Sequence, residues 1–216
     1  MKTAIILDLD GTILNTLDDL CDSVNAALSK GGFPLRTLDE VRNFVGNGAK
    51  NLIIRSLGDN ADDENTEKTL ADFKAHYETN KTNKTAPYAG MLEVLATLKA
   101  RGCKLAIVSN KHDDAVQGLY NQFFKETCDF ALGNCDFLPK KPAPDMIHYA
   151  LEKIGKTVED AVYIGDSEVD VTTAKNSGMP CISVSWGFRD VDILKEAGAD
   201  VIVNTADELI TAIENL

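Results

Sequence analysis

Two aspartates, Asp8 and Asp10, follow an apolar run in the segment IILDLDGTIL (5–14). Residues two apart in an extended strand point the same way, so both carboxylates can face one site if the strand ends near Asp10. That position suits Asp8 as a nucleophile or metal ligand, and Asp10 as an acid or base. Taken alone, the pair could equally be two solvated acids at the end of a strand.

A second acidic pair, Asp166 and Asp170 in GDSEVD, follows another apolar run. The two are four residues apart at the start of a predicted helix, so they share a helix face. Four carboxylates at one edge of a sheet would repel, since two unit charges ~4 Å apart cost about 4 kcal/mol at an effective dielectric near 20. A hard divalent cation relieves that repulsion, and Mg²⁺ suits a site made of oxygen ligands.

Anion-binding groups stand near the end of the run KLAIVSN (104–110) and on a later loop. Ser109 and Asn110 precede a predicted helix, where a hydroxyl, backbone N–H groups and the positive end of the helix can hold a phosphate. Lys141, in KKPAPD, could neutralise such a phosphate, and so could Lys111. The plain alternatives are an ordinary helix cap for the first pair and surface charge for the lysines.

The elements that must position these groups alternate along most of the chain. Short runs rich in Val and Ile alternate with segments of helical periodicity such as GMLEVLATLKARG (90–102), which predicts a doubly wound parallel α/β sheet with a Rossmann-type core. Ligands of such sheets bind at the carboxyl ends of the strands. Capping boxes are expected at Thr37 with Glu40 and at Thr205 with Glu208. The predicted strands cover 5–10, 104–110, 129–134, 161–167, 181–186 and 201–204.

The interval from about 15 to 80 interrupts this alternation with helical segments alone, at 17–30, 38–44, 48–57 and 64–79. The polar stretch TNKTNKT (79–85) follows it. We therefore predict a core domain of residues 1–14 and 86–216, and an inserted helical cap domain with hinges over 15–85. Within the insertion, VGNGAK (45–50) follows no predicted strand and lacks the GK[ST] ending, so it is not read as a nucleotide-binding loop.

The composition limits the partners. With a net charge of −12, the protein as a whole does not attract nucleic acid or an acidic membrane surface. No apolar run has membrane-spanning length, and the five cysteines lack CxxC spacing, which favours a reduced cytoplasmic protein. We expect no nucleic-acid or membrane partner, and a monomer or homodimer. An anionic substrate would have to be captured by local positive charge.

Together, DLDGTIL, Ser109, Lys141 in KKPAPD, and GDSEVD resemble in order and strand placement the four motifs of the haloacid dehalogenase superfamily. The insertion resembles that superfamily's cap, which closes over the site and supplies specificity. Dehalogenases lack the second acid of the first motif, so Asp10 argues for phosphoryl transfer. VGNGAKNLI, SNK and GDSEVDVTTAKNSGMP are most similar to phosphoglycolate phosphatases, although Asn15 stands where relatives often carry an acid.

The resemblance implies a mechanism and a substrate class. Asp8 would attack phosphorus to give an aspartyl-phosphate, and Asp10 would protonate the leaving oxygen and later activate water. The substrate would be a small phosphorylated metabolite, with 2-phosphoglycolate first among them. Mg²⁺ would be held by the carboxylate of Asp8, the backbone carbonyl of Asp10, Asp166 and, through water, Asp170; the phosphoryl oxygens would be held by Thr12, Ser109, Asn110 and Lys141.

Other functions stay open on the same scaffold. A mutase similar to β-phosphoglucomutase, or a hydrolase of sugar phosphates or pyrophosphate, would keep the same core motifs. A catalytically silent module that binds Mg²⁺ or phosphate would not need both a nucleophile and an acid. Contacts from the cap would decide among the enzymes, and the candidates for those contacts are Arg42, Asn43, Asn47 and Lys50.

Overall fold

The computed structural model describes residues 2–216. The chain divides into two compact units: a core unit that runs to Leu14 and resumes over Pro87–Leu216, and a helical unit over Asn15–Ala86. The second boundary lies one residue later than predicted. Among the described residues, no helix has both the length and the apolar character needed to cross a bilayer.

Strands and helices alternate through the core unit, while the helical unit is built almost wholly of helices. The strands are β1 Ala4–Leu7, β2 Leu14–Asn15, β3 Ala86–Pro87, β4 Lys104–His112, β5 Phe130–Asn134, β6 Ala161–Gly165, β7 Cys181–Val184 and β8 Val201–Val203. The α-helices are α1 Leu17–Gly31, α2 Leu38–Phe44, α3 Ala49–Leu57, α4 Asp63–Asn80, α5 Met91–Ala100, α6 Asp113–Phe123, α7 Asp145–Ile154, α8 Glu168–Ser177, α9 Val191–Glu196 and α10 Ala206–Glu214; a short 3₁₀ helix covers Gly58–Asn60.

The core unit is a six-stranded parallel sheet in the order β5-β4-β1-β6-β7-β8. β1 lies between β4 and β6, so Leu7 pairs with Ile107 on one side and with Ile164 on the other. All four residues of β1 are buried, as expected for a strand of a parallel sheet covered on both faces. The predicted fold class is confirmed. β2 and β3 form a separate two-stranded sheet.

Alternate residues of β1 belong to two different cores. Ile5 and Leu7 pack with α5, α6 and α10, whereas Ala4 and Ile6 pack with α7 and α8. Successive side chains of a strand point to opposite faces, so one short strand anchors both layers of helices. Asp8 follows at once, and its backbone N–H still donates to the carbonyl oxygen of Ile164 at 2.9 Å. The first acid of the motif is therefore held rigidly by the centre of the sheet.

Two local expectations need adjustment. β4 continues two residues past Asn110, with an irregular register against β5 between Val108 and His112. The Thr205 hydroxyl accepts from the Glu208 backbone N–H at 3.2 Å as predicted, but the Glu208 carboxylate accepts from the backbone N–H of Asn204 at 2.7 Å. The predicted hydrogen bond from the Thr205 backbone N–H to the Glu208 carboxylate was wrong, because the carboxylate binds the N–H of the preceding residue instead.

In the helical unit, α2 begins with a complete capping box, as predicted. The Thr37 hydroxyl accepts from the Glu40 backbone N–H, and the Glu40 carboxylate accepts from the Thr37 backbone N–H at 2.8 Å. The chain between α1 and α2 is tied down by Asn25, whose side chain accepts from the Arg36 backbone N–H and donates to the Arg36 carbonyl. These polar contacts hold α2 beside α1 where few apolar side chains are buried.

Candidate active site

Three buried carboxylates converge at the carboxyl ends of two neighbouring strands. Asp8 follows β1, Asp166 follows β6, and Asp170 lies in the first turn of α8. One carboxylate oxygen from each lies within 4.8 Å of the others. The convergence follows from the sheet, because parallel neighbours end at the same edge.

Lys141 lies among these acids and is 2% exposed. Its ammonium donates to Asp8 Oδ1 at 2.8 Å, to Asp170 Oδ1 at 2.9 Å and to the Tyr163 hydroxyl at 2.7 Å. Three partners match the three protons of an ammonium group. Burial alone would lower the pKa of Lys141, but the Asp170 and Asp8 carboxylates outweigh it and raise the pKa, so this lysine is charged.

Tyr163, in the middle of β6, completes this network. Its buried hydroxyl accepts from Lys141 and donates to Asp170 Oδ1 at 2.9 Å. Sequence reasoning missed this residue. The available signal was a tyrosine within the otherwise apolar strand AVYIG, since a buried tyrosine hydroxyl usually has a polar partner.

The three carboxylates carry more negative charge than the single ammonium group of Lys141 can offset. Burial raises the pKa of Asp8 to about 7, although Lys141 acts in the opposite direction. Burial and the charges of Asp170 and Asp8 raise the pKa of Asp166 well above its usual range. Burial would also raise the pKa of Asp170, but Lys141 outweighs it and the pKa is lowered. Three buried oxygen donors with excess negative charge fit a hard divalent cation.

Asp166 is fixed by close packing as well as by hydrogen bonds. The Thr12 hydroxyl donates to Oδ1 at 2.9 Å, and the Phe188 backbone N–H donates to Oδ2 at 2.7 Å. A Cβ atom at Gly11 would lie 2.3 Å from Oδ2, and one at Gly187 would lie 2.2 Å from the Asp166 Cβ. Both glycines are therefore required to make room for this carboxylate. The predicted phosphate-binding hydroxyl of Thr12 faces Asp166 in this structure.

Asp10 is not a member of the group of three converging carboxylates and pairs with a different cation. The Lys111 ammonium donates to both Asp10 carboxylate oxygens, at 2.8 and 2.9 Å. The Asp10 side chain is 12% exposed and that of Lys111 is 7% exposed. Lys111 was ambiguous from the sequence, and the structure places it against the predicted acid/base.

Ser109 and Asn110 are both buried at the end of β4. The Ser109 hydroxyl accepts from the backbone N–H of Lys111 at 3.3 Å, and the Asn110 side-chain amide donates to the carbonyl oxygen of Lys141 at 3.0 Å. Asn110 therefore ties the loop that carries Lys141 to the end of β4. Their binding of a phosphoryl group stays a prediction.

The candidate residues of the predicted cap make contacts within the helical unit. The Arg42 guanidinium lies 4.0 Å from the Asp39 carboxylate, and the Asn43 side chain donates to the Asp39 carbonyl. Lys50 pairs with Glu67 at 2.7 Å. The backbone carbonyl of Asn47 accepts from the side chain of Asn51 at 3.0 Å. Their contact with a substrate stays a prediction.

The chain matches a known family over most of its length. Residues 5–184 match the model of the haloacid dehalogenase-like hydrolases. The phosphoglycolate phosphatase of Rhodospirillum rubrum is 33% identical over 198 residues, which cover 87% of this chain and 81% of that protein. The phosphoglycolate phosphatase of Colwellia psychrerythraea is 30% identical over an alignment 225 residues long, which covers 99% of this chain and 97% of that protein.

Solved structures agree with this match. The crystal structure of a protein from Lactobacillus delbrueckii subsp. bulgaricus superposes on this chain with a TM-score of 0.94. The two sequences are 37% identical, and the match covers 99% of both chains. CbbY from Rhodobacter sphaeroides, solved in complex with phosphate, gives a TM-score of 0.76 at 26% identity and covers 97% of this chain and 96% of that one.

The sheet, the acids at its carboxyl edge and these matches define a hydrolase of phosphate esters. The chain belongs to the haloacid dehalogenase-like hydrolase family, as a phosphoric monoester hydrolase similar to phosphoglycolate phosphatases.

Proposed function

We propose that this protein hydrolyses 2-phosphoglycolate in a Mg²⁺-dependent reaction that passes through an aspartyl-phosphate on Asp8. The observation that carries the proposal is the position of Asp8, which lies 2.8 Å from the buried ammonium of Lys141 and close to two further acids. A carboxylate held beside a fixed cation at the edge of a parallel sheet is well placed to receive an anionic phosphoryl group. The two phosphoglycolate phosphatases that match over most of this chain support the choice of substrate.

The carboxylates of Asp8 and Asp166 would hold the Mg²⁺ ion together with the backbone carbonyl of Asp10, and Asp170 would help to hold it through water. When bound, the ion would neutralise charge on the phosphoryl oxygens. The Thr12 and Phe188 hydrogen bonds would keep Asp166 oriented toward the ion.

The chain's own residues would carry the two chemical steps. Asp8 attacks phosphorus while the bond to the ester oxygen breaks, and Asp10 gives that oxygen a proton. Asp10 then takes a proton from a water molecule that attacks phosphorus, and the bond between phosphorus and the Asp8 oxygen breaks to release phosphate. Lys141 would hold a phosphoryl oxygen, and Lys111 would keep both oxygens of Asp10 in place.

Phosphate release from 2-phosphoglycolate, measured with Mg²⁺ and with chelator, tests the proposal directly. We expect activity to vanish in chelator and to return with Mg²⁺. Asp8→Asn should abolish the acid-stable phosphoenzyme, and Asp10→Asn should slow turnover by about 10²–10⁴-fold. Full turnover after exhaustive metal removal would overturn the metal requirement, and near-normal turnover of Asp8→Asn would overturn the nucleophile.

The proposal extends to the helical unit as the source of specificity. The segment RNFVGNGAK (42–50) offers glycines that allow close backbone approach, with Asn47 and Lys50 as polar groups for a carboxylate or hydroxyl. Substituting Asn47 or Lys50 should change the preference among phosphate esters and spare 4-nitrophenyl phosphate. Equal loss on every ester would place these residues in folding or phosphate binding, and no change on any ester would make the segment a plain turn.

A further inference from the structure

The core unit carries two nearly buried lysines beside the acids of the site, and they have different partners. Lys141 binds Asp8, Asp170 and Tyr163. Lys111 binds Asp10 through both carboxylate oxygens. Under the proposed function, Asp8 faces the phosphorus atom and Asp10 faces the ester oxygen. The two cations are therefore divided between the phosphoryl group and the leaving group.

The position of Lys111 defines what it can reach. A general acid must approach the oxygen that it protonates to about 2.6–3.2 Å. The Lys111 ammonium lies 2.8 and 2.9 Å from the two oxygens of Asp10. The ammonium therefore comes within about 6 Å of the ester oxygen, since the two contacts can at most add. A carboxylate whose carbon is two bonds from the ester oxygen is therefore within reach of the flexible side chain of Lys111.

Charge decides which leaving groups need this cation. As Asp10 gives its proton to the ester oxygen it becomes negatively charged, so an anionic leaving group meets a developing like charge, in a place where the side chains are mostly shielded from water. A neutral leaving group meets no such repulsion. An ammonium group that already contacts Asp10 offsets the repulsion at its source and can bind the incoming anion by charge-assisted hydrogen bonds.

We propose that Lys111 is a specificity-determining residue that binds a carboxylate carried by the leaving group, so that the site prefers phosphate esters with an anionic group next to the ester oxygen. The inference rests on the proposed function, and it adds a residue to the recognition of that substrate class. It places this recognition in the core unit, at the end of β4, independently of any contribution from the helical unit.

A matched pair of substrates tests the inference: 2-phosphoglycolate and 2-hydroxyethyl phosphate, which differ by a carboxylate in place of a hydroxymethyl group. The quantity measured is the ratio of kcat/KM for 2-phosphoglycolate to kcat/KM for 2-hydroxyethyl phosphate. Lys111→Met should lower kcat/KM for both esters, and should lower the ratio by about 10- to 100-fold through the lost charged hydrogen bond. Lys111→Arg, which keeps the charge, should restore part of the ratio.

Lys104→Met is the control. Lys104 begins the same strand, and its ammonium also pairs with an aspartate, Asp129, at 2.9 Å, but at the exposed opposite end of β4. Its removal should leave the ratio unchanged. Lys111→Gln is the second variant should Lys111→Met fail to fold by circular dichroism, because glutamine keeps a donor for Asp10 and removes only the charge.

One outcome supports the inference, and three overturn it. A fall in the ratio in the uncharged Lys111 variants, with Lys104→Met unaffected, supports the inference. An equal loss on both esters overturns it and makes Lys111 a positioning residue for Asp10 alone. If the wild-type protein hydrolyses both esters with the same kcat/KM, the inference fails while the phosphatase function stands. If it releases phosphate from neither ester under any metal condition, the proposed function itself fails and the inference falls with it.

Discussion

Lys141 and Asp8 form a buried ion pair, with the ammonium 2.8 Å from the Asp8 carboxylate and the lysine side chain 2% exposed. The two residues are 133 positions apart in the sequence and meet because β1 lies in the middle of the sheet. The same ammonium also binds Asp170. One cation therefore compensates two buried acids, and its removal would leave both without this counter-charge.

Lys141→Met should abolish phosphatase activity and lower the free energy of unfolding of the metal-free protein by about 3–5 kcal/mol, the usual cost of leaving a buried charge unpaired. Lys141→Arg should also lose activity, since a planar guanidinium cannot direct three donors to the same three partners. Urea denaturation in chelator measures the stability. Lys30→Met, which breaks an exposed pair with Asp72, serves as control and should leave stability unchanged. Wild-type stability of Lys141→Met in chelator would contradict the prediction.

Protons and Mg²⁺ should compete for the three acids. The pKa of Asp8 is raised to about 7 and that of Asp166 is raised well above its usual range, so the folded protein binds these protons more tightly than the unfolded chain. Their contribution makes the metal-free protein lose stability as the pH rises through these folded pKa values. The pKa of Asp170 is lowered, so its contribution is lost only as the pH falls below the usual aspartate range.

Mg²⁺ binding should accordingly tighten between pH 6 and pH 8, because the ion needs the deprotonated carboxylates. Calorimetric titration with Mg²⁺ across this range measures the effect, together with the number of protons released. In chelator, Asp166→Asn should lose less stability than the wild type as the pH rises over the same interval. An affinity for Mg²⁺ that does not change with pH would contradict the assignment of these acids as ligands.

The sequence predicted the acids of this site because their chemistry is local to the strand ends. Asp8 and Asp166 each follow an apolar strand, and neighbouring strands of a parallel sheet end at one edge. The roles of Tyr163 and Lys111 depend instead on where long side chains reach across the sheet, which strand periodicity does not specify. The same limit applies to Glu208, whose carboxylate binds Asn204 because a flexible side chain can reach either of two adjacent N–H groups.

Gly11 should tolerate alanine far less well than Gly102 does. Both have a left-handed backbone, with φ values of 87° and 83°, so each substitution carries a similar backbone strain of about 1–2 kcal/mol. At Gly102 a Cβ atom would meet nothing within 4 Å, whereas at Gly11 it would lie 2.3 Å from Asp166 Oδ2. Gly11→Ala must therefore displace the carboxylate.

We expect Gly11→Ala to weaken Mg²⁺ binding and to slow turnover, beyond a loss of stability that Gly102→Ala shares. Thermal denaturation with and without Mg²⁺ separates the two effects, because only the Gly11 variant should lose the stabilisation by the ion. Equal stabilisation of both variants by Mg²⁺ would show that Asp166 does not contribute to binding.

The last prediction concerns the segment by which the chain leaves the helical unit. Asp19, in the first turn of α1, is 1% exposed, and both of its carboxylate oxygens accept from the Lys84 backbone N–H at 3.0 Å. One of them also accepts from the Thr85 backbone N–H at 2.8 Å. Asp22, one turn later on α1, binds the side chain of Lys84 at the exposed surface.

The two aspartates thus fasten the same residue in different ways, and Asp19→Asn and Asp22→Asn form a matched pair. Asp19→Asn replaces a charged acceptor of buried N–H groups and should cost about 1.5–3 kcal/mol of stability. Asp22→Asn should leave stability unchanged, since exposed ion pairs contribute little. Hydrogen exchange at the amides of Lys84 and Thr85 gives the local readout and should accelerate in the Asp19 variant alone. Equal exchange rates in both variants would show that other contacts, and not those of Asp19, hold the segment before Ala86 in place.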